Sequence, residues 1–301
     1  MCIHEDKKQI NAVNQLIDVL NNGDAVSKRI ASVSTVKSWK NEPPATPYQN
    51  YKRILKQVER NRKDIKKVFQ SWNKKFKQRY SDYRGSLFRL KKEDITAEAW
   101  EQILSFGLIN SQELYNVLIR MADDELKVSA KEVEANIFKL KAVVIESDNQ
   151  IPQNVLSFFQ QYELRLSEST AAVVDNSLKN IVMNGLANGE STATIANNIS
   201  SSFINLGNKK SALIARTETI RASAEGAKIA YARGGIKKLA VLPALTACPV
   251  CMEKASNNPY TADNLKFQIP IHPNCRCCWI PVFSDTDVEA INTGIVNANS
   301  F

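Results

Sequence analysis

Cysteine is missing from residues 3–247, and five of the six cysteines of this 301-residue chain lie within residues 248–278. This distribution counts against a disulfide framework, because a chain of this length buries about 75% of its unfolded surface without such cross-links. Residues 1–11 contain acidic and basic side chains where a secretory signal has an apolar run. We therefore expect reduced thiols.

Long apolar runs are also missing from the sequence. No segment approaches the roughly 18 to 20 consecutive apolar residues that a membrane-spanning helix needs, so no membrane partner beyond a peripheral one is expected. The composition, with 44% hydrophobic and 24% charged residues, is typical of a globular protein. The length allows two domains.

The net charge of +9 is concentrated in one segment. Between Lys52 and Lys92, sixteen Lys and Arg residues accompany three acidic residues, so this segment carries +13 and the remainder −4. Such an excess repels itself unless an anion lies nearby, which favours contact with nucleic acid without sequence preference. The alternative is an ordinary solvated helix face. The candidate contact residues are Lys52, Lys56, Lys63, Lys66, Lys67, Lys74, Lys75 and Lys77.

Helical periodicity dominates the first half of the chain. Apolar residues recur every three or four positions from Tyr51 to Tyr83, which predicts one long amphipathic helix. Two further helices are predicted at 94–106 and from Ser111 to about Ser147. A small helix over 5–21 and a proline-rich linker over 41–47 precede them.

The second half adds strands to the helices. Gly207, within Leu206-Gly207-Asn208, predicts a turn between two helices, and Gly234-Gly235 predicts a helix end. The run over 154–186 is one helix or two joined near residues 167–170. The predicted elements after that run are helices at 191–203 and 209–233 and strands at 236–242 and 278–283.

Together these elements predict a fold class and domain boundaries. We expect a mainly α amino-terminal half with long amphipathic helices, then an α+β carboxy-terminal domain with a small β element held by zinc. The predicted segments are 1–48 (helix and linker), 49–150 (basic long-helix region), 151–284 (carboxy-terminal domain) and 285–301 (polar tail).

Two cysteine motifs in the carboxy-terminal part have the spacing of a metal site. Cys248-Pro-Val-Cys251 precedes His272-Pro-Asn-Cys275-Arg-Cys277-Cys278 by twenty residues. Two such pairs of soft donors can surround one Zn²⁺ tetrahedrally. Cys248 and Cys251 would supply half of the shell, and two of His272, Cys275 and Cys277 the other half. Buried free cysteines or a disulfide pair remain the alternatives.

Catalysis at this site is not expected. A catalytic zinc needs an open coordination position and a neighbouring general acid or base. The nearest acidic residues, Glu253 and Asp263, lie in the segment between the motifs. A zinc deaminase needs His-x-Glu before its cysteine pair, whereas His272 follows the pair. We therefore predict a structural metal, no small-molecule substrate and no enzyme activity.

Arg216 and Glu218 form a second candidate pair. Two residues apart on a helix they diverge by about 200°, so they cannot face one ligand as the Arg and Glu of an ADP-ribosyltransferase do. A structural role is expected instead. Arg216 would reach Glu218 or Glu225 across neighbouring turns, or each residue of the pair would anchor a loop.

Three pieces of sequence together resemble the signature of the Mu F-like minor head proteins of tailed bacteriophages. In order they are Ala215-Arg216-Thr217-Glu218-Thr219, Cys248-Pro-Val-Cys251 and Ile271-His272-Pro-Asn-Cys275-Arg-Cys277. The similarity covers roughly residues 152–283 and leaves the basic helical half unassigned. Family members often carry a Trp and then an Asp before the first Cys, whereas residues 240–247 here contain no carboxylate.

The resemblance implies a head morphogenesis protein inside the capsid near the portal, present in the host cytoplasm before assembly. The implied partners are the portal protein, the major capsid protein and viral DNA. Two other functions stay open: an intracellular zinc-dependent enzyme, and a nucleic-acid-binding module without a role in the virion.

Overall fold

The computed structural model describes residues 51–89, 95–105, 107–141, 150–243 and 247–283. Helices make up 76% of these residues, and a three-stranded antiparallel sheet lies near the carboxy terminus. The predicted fold class is confirmed. The small helix over 5–21, the linker over 41–47 and the tail over 285–301 lie outside the described residues.

Six α-helices occur in the described part of the chain, and most follow the predicted periodicity. The helix predicted from Tyr51 is confirmed and ends at Arg89. Thr96 caps the second helix, since its side chain accepts a hydrogen bond from the Ala99 amide. The helices are α1 (Tyr51–Arg89), α2 (Ala97–Leu104), α3 (Ser111–Lys141), α4 (Gln153–Ala187), α5 (Thr192–Arg233) and α6 (Pro249–Ser256).

The sheet contains both predicted strands and one that periodicity did not indicate. Its strands are β1 (Lys238–Leu242), β2 (Tyr260–Thr261) and β3 (Cys278–Val282), in the order β2-β1-β3. β1 pairs antiparallel with β3 in the register Lys238 to Val282. All five residues of β3 are buried, which explains its continuous apolar sequence. β2 has two residues, too few to show a period.

The turn predicted at Leu206-Gly207-Asn208 is wrong, because α5 runs without interruption from Thr192 to Arg233. A Cβ atom on Gly207 would lie 3.0 Å from Cβ of Phe69 in α1. The glycine therefore allows two helices to approach closely. Its conformational freedom is not needed there.

α4 is one helix, so the predicted option of two helices joined near residues 167–170 is not realised. Ser167 lies at the middle of this run, and its hydroxyl donates a 2.7 Å hydrogen bond to the Leu164 carbonyl. This bond satisfies the polar side chain without interrupting the helix.

The predicted end of α5 is confirmed at Gly234-Gly235. Gly235 has a φ of 69°, in the left-handed region that favours glycine. The Gly234 amide donates to the Ala230 carbonyl, and the Ile236 amide to the Tyr231 carbonyl. These bonds satisfy carbonyls that would lack partners at the helix end, and the chain then enters β1.

The chain forms two compact units, each built from separate segments. Among the described residues, the first unit comprises 51–57, 123–141, 150–151, 216–243 and 247–283, and the second comprises 58–89, 95–105, 107–122 and 152–215. The helices α1, α3 and α5 contribute residues to both. The predicted boundaries at residues 48, 150 and 284 remain predictions.

Aromatic side chains form the core of the second unit. Trp72 and Trp100 are buried, and the Phe76 ring lies 6.2 Å from that of Phe203 in α5. Tyr80 stacks on Trp100 at 5.9 Å. These contacts follow from the apolar stripe of α1, which turns one helix face inward.

Among the described helices, none has the length and apolarity that crossing a lipid bilayer requires.

Candidate metal centre and basic helix

The first two candidate donors lie at the amino-terminal end of α6. Cys248 is the N-cap residue, and Pro249 follows at the first helical position, where its missing amide costs nothing. Cys251 lies three residues after Cys248, about one helical turn, so both side chains lie on the same side. Cys251 is buried and Cys248 half-buried. Sequence periodicity did not predict this eight-residue helix.

The other three candidate donors lie on the segment that leads into β3. Cys251 Sγ is 3.1 Å from His272 Nε2 and 3.7 Å from Cys275 Sγ, and Cys248 Sγ is 3.1 Å from His272 Nε2. All five predicted residues therefore come together. They form two groups with donor atoms within 4.8 Å of one another: Cys248, Cys251 and His272, and Cys251, Cys275 and Cys277. We call these five residues the donor cluster.

The donor cluster can hold a metal ion. Four ligands around Zn²⁺ with bonds of about 2.3 Å to sulfur give sulfur–sulfur distances of about 3.8 Å. The distance of 3.7 Å between Cys251 Sγ and Cys275 Sγ fits this value. The sulfur to His272 distances of 3.1 Å are a few tenths of an ångström shorter than a tetrahedral edge. Cys251 belongs to both groups and is the central donor.

The imidazole of His272 is oriented to bind a cation. Its Nδ1 lies 2.8 Å from the Pro273 carbonyl oxygen. Because a carbonyl oxygen only accepts hydrogen bonds, Nδ1 carries the proton and Nε2 directs its lone pair at the cysteine sulfurs. Metal-binding histidines commonly donate their second ring N–H in this way.

The buried thiols affect one another's protonation. Hydrogen bonding with Cys275 and Cys277 raises the pKa of Cys251, whereas the hydrogen bond from Cys251 lowers the pKa of Cys275. Three buried sulfurs this close cannot all ionise unless a cation offsets their charge. Burial raises the pKa of Cys278, which belongs to neither donor group. All five described cysteines are free, as the sequence predicts.

Arg216 anchors a loop, which is one of the two predicted roles. Its Nη1 donates a 2.8 Å hydrogen bond to Oδ1 of Asn274, between the donors His272 and Cys275. The neighbouring Thr217 accepts a 3.0 Å bond from the Asn274 amide. Glu218, which is buried, accepts a 2.8 Å bond from Arg221. Sequence reasoning missed Thr217, although its position within the Arg-Thr-Glu motif was a usable signal.

The exposed cations of α1 in the second unit form one stripe opposite the buried aromatic face. The basic stripe consists of Arg60, Lys63, Lys67, Lys74, Lys77 and Arg84. Their successive spacings of three, four or seven residues place them along one side of the helix. Sequence reasoning omitted Arg60 and Arg84, which the same periodicity would have included. Lys56, in the first unit, is also exposed.

Part of the positive charge of α1 is neutralised within the protein. Arg53 donates two 2.7 Å hydrogen bonds to the buried carboxylate of Glu125 in α3. Lys75, one of the predicted contact residues, pairs with Glu113. Lys66 is half-buried, and the Lys52 side chain lies outside the described side chains.

Carboxylates do not contribute to the donor cluster in the described part of the chain. Glu253 is exposed and pairs with Lys254 at 3.0 Å, and Asp263 is also exposed.

Comparison with protein-family models, curated protein sequences and solved structures gave no match. The function proposed below therefore rests on the donor cluster, the basic stripe and the sequence signature.

Proposed function

We propose that this chain is a minor head protein of a tailed bacteriophage with a structural role in head morphogenesis. One observation carries the proposal: the three separated pieces of the sequence signature contact one another. Arg216 and Thr217 bind Asn274, and the donors on either side of Asn274 meet Cys251. Residues 21 to 58 positions apart in the sequence therefore lie at one site, and this proximity supports the proposal.

The metal in this proposal is Zn²⁺. Thiolate and imidazole donors are the set that zinc prefers, and a tetrahedral shell needs four of the five available. Sulfur and nitrogen ligands that fill the shell leave no position for a substrate, which suits a cross-link and not a catalyst. When bound, the ion would join α6 to the segment before β3. Structural zinc contributes on the order of 10 kcal/mol to the folding of small sites.

The basic stripe would face viral DNA or the portal protein inside the capsid. Among the described residues, Arg60, Lys74, Lys77 and Arg84 have no ion-pair partner. Cations along one helix face attract phosphates without reading bases, so binding would be independent of sequence and sensitive to salt. The expected partners remain the portal protein, the major capsid protein and viral DNA.

Particle composition tests the proposed function most directly. Purified virions from the parent phage, analysed by quantitative mass spectrometry, should contain this chain at a few copies per particle. The coding sequence should also lie beside genes for the portal, terminase and major capsid proteins. A chain that is abundant in the lysate and missing from purified particles would rule out the virion role.

DNA binding is tested by charge reversal on the stripe. Lys63→Glu with Lys74→Glu should weaken binding to non-specific double-stranded DNA and lower the log–log salt slope by about 0.9 for each phosphate that the variant no longer neutralises. Fluorescence anisotropy over a salt series measures both effects. Lys237→Glu with Lys266→Glu is the matched control, because both lysines are exposed, lie outside α1 and change the net charge equally. If both double variants weaken DNA binding equally, the binding depends on net charge and not on the basic stripe.

The stripe also favours a second function, a nucleic-acid-binding module without a role in the virion. That protein would bind non-specific DNA and be missing from virus particles.

A zinc-dependent enzyme is the third candidate function. A chelator would then abolish its activity while the fold persists, whereas the proposed structural metal predicts that the segment around the donor cluster loses order on chelation.

A further inference from the structure

We propose that Arg216 and Thr217 are positioning residues that hold the His272–Cys275 turn in its metal-binding geometry before the ion arrives. This inference rests on the metal site of the proposed function. It concerns a different question, namely which residues outside the donor cluster determine how tightly the metal binds.

The backbone of the turn explains why two donors lie side by side. The Cys275 amide donates a 3.1 Å hydrogen bond to the His272 carbonyl, which closes a four-residue turn. Pro273 occupies the second position, where its fixed φ suits a turn, and Asn274 has a φ of 68° at the third. This is the arrangement of a type II turn, which brings its first and fourth residues together. Those residues are the donors His272 and Cys275.

Asn274 is the residue of this turn that needs external support. It is the one described non-glycine residue with a positive φ. Residues with a Cβ adopt this backbone conformation less readily than glycine does, although asparagine tolerates it better than most, and contacts with the surroundings stabilise it. An unsupported turn would therefore populate other backbone conformations, which separate the two donors.

Adjacent residues of α5 supply that support from both sides of Asn274. Thr217 Oγ1 accepts the backbone amide at 3.0 Å, and Arg216 Nη1 donates to the side-chain Oδ1 at 2.8 Å. Thr217 is buried, with 6% of its surface exposed, so water cannot readily replace its hydroxyl. A guanidinium keeps its charge at all accessible pH values, which makes its bond to Asn274 insensitive to pH.

The other arm of the site is held by a similar device. Asn258 accepts a 2.7 Å bond from the Val241 amide and donates a 3.0 Å bond to the Val241 carbonyl. The amide side chain therefore ties the end of α6 to the central strand. Because hydrogen bonds hold both α6 and the His272–Cys275 turn in place, the donors are already close when the ion binds. Less conformational entropy is then lost on binding, which favours a tighter complex.

The test is a pair of substitutions at Thr217 measured for zinc affinity. Thr217→Val removes the hydroxyl at nearly constant volume, and Thr217→Ser keeps it. We expect Thr217→Val to weaken zinc binding by about 10-fold, the lower end of the 10- to 100-fold range for outer-shell partners. Thr217→Ser should stay close to the wild type. Competition with a chromophoric chelator measures the dissociation constants.

Hydrogen exchange of the Asn274 amide in the metal-free protein provides a second measurement. This amide should exchange faster in Thr217→Val than in the wild type, because its acceptor is gone. Lys228→Gln is the matched control on the same helix, since it removes an ion pair with Glu225. Circular dichroism shows whether the helices remain folded in every variant.

Arg216→Gln keeps the inference testable if Thr217→Val does not fold. Arg216 is half-buried, so its substitution removes the bond to Asn274 with little change in packing. It should also weaken zinc binding several-fold. Wild-type affinity and unchanged Asn274 exchange in the folded variants would overturn the inference. A wild-type protein that binds no zinc would instead overturn the metal site proposed above.

Discussion

The segment that contains the donor cluster and the aromatic core of the second unit are built from elements of different length. Between Lys238 and Val282 the elements are short: strands of two to five residues and one helix of eight. In the second unit, the 35-residue helix α4 and long parts of α1 and α5 bury several aromatic rings. Short elements bury less apolar area than long helices, even though β3 is fully buried, so a metal cross-link would add more stability to this segment than to a packed helical core.

The same contrast appears in how the two regions balance charge. In the donor cluster, a bound metal cation would offset the charge of ionised thiols. In the part of α1 that belongs to the second unit, excess cations are partly neutralised by carboxylates of the chain, as in the ion pair of Lys75 with Glu113. In the proposed function, the first region binds an ion from solution, whereas the second is stabilised by contacts within the chain.

The largest effect is expected from removal of the central donor. Cys251→Ser should abolish metal binding and lose much of the roughly 10 kcal/mol that zinc contributes to local folding. Inductively coupled plasma mass spectrometry gives the metal content, and hydrogen exchange shows whether the loss of order stays within residues 238–282. Exchange in the aromatic helices of the second unit should change much less.

Cys278→Ala is the control for that substitution. Cys278 is equally buried but belongs to neither donor group, so this variant should keep one metal per chain. Full metal content in Cys251→Ser would show that the proposed ligand set is wrong.

A smaller effect is expected from substitution of Trp72, and it should affect the second unit and leave the donor cluster unchanged. Trp72→Ala leaves a cavity in the aromatic core and should lower the free energy of unfolding by about 3–5 kcal/mol, while metal content stays unchanged. Trp72→Phe should cost less, since the indole N–H has no partner among the described atoms and only volume is lost. Denaturant titration measures both variants. Loss of metal from folded Trp72→Ala would show that the two regions are not separately stabilised.

A third comparison uses two glycines in helices. A Cβ on Gly226 of α5 would lie 2.6 Å from the Leu126 carbonyl oxygen, and a Cβ on Gly85 of α1 would meet nothing within 4 Å. Gly226→Ala should therefore destabilise by about 1–3 kcal/mol through overpacking. Gly85→Ala should stabilise by about 1 kcal/mol, because alanine favours the helix. Thermal unfolding gives the sign of each change, and like signs would contradict the packing around Gly226.

The smallest effect on stability is expected from the basic stripe. Lys63→Glu and Lys74→Glu each alter an exposed position and should change the free energy of unfolding by less than about 0.5 kcal/mol. Denaturant titration should show no change in midpoint beyond that. A large destabilisation would indicate that the stripe packs against protein, and its role toward DNA would need another explanation.

The helices and the donors were the features most accessible from sequence. A three- and four-residue apolar period identified α1, because a long helix repeats its pattern many times. The Cys-x-x-Cys spacing identified five donors that do converge. α6 and β2 were missed, since eight and two residues contain too little of any period.

The incorrect prediction of a turn at Gly207 shows where prediction from local sequence fails. A glycine within a polar stretch indicates a turn when only neighbours in sequence are considered. In the folded chain the deciding neighbour is Phe69, more than a hundred residues earlier. No local pattern records that proximity.

The order of residues sets the helical character of this chain, the end of α5 and the identity of the candidate metal donors, because each depends on neighbours within a few positions. The tertiary structure alone determines which cations are exposed and places Gly207 within a helix. It also brings Arg216 and Thr217 into hydrogen-bonding contact with Asn274. These features arise from contacts between residues far apart in sequence, and only packing in three dimensions brings such residues together.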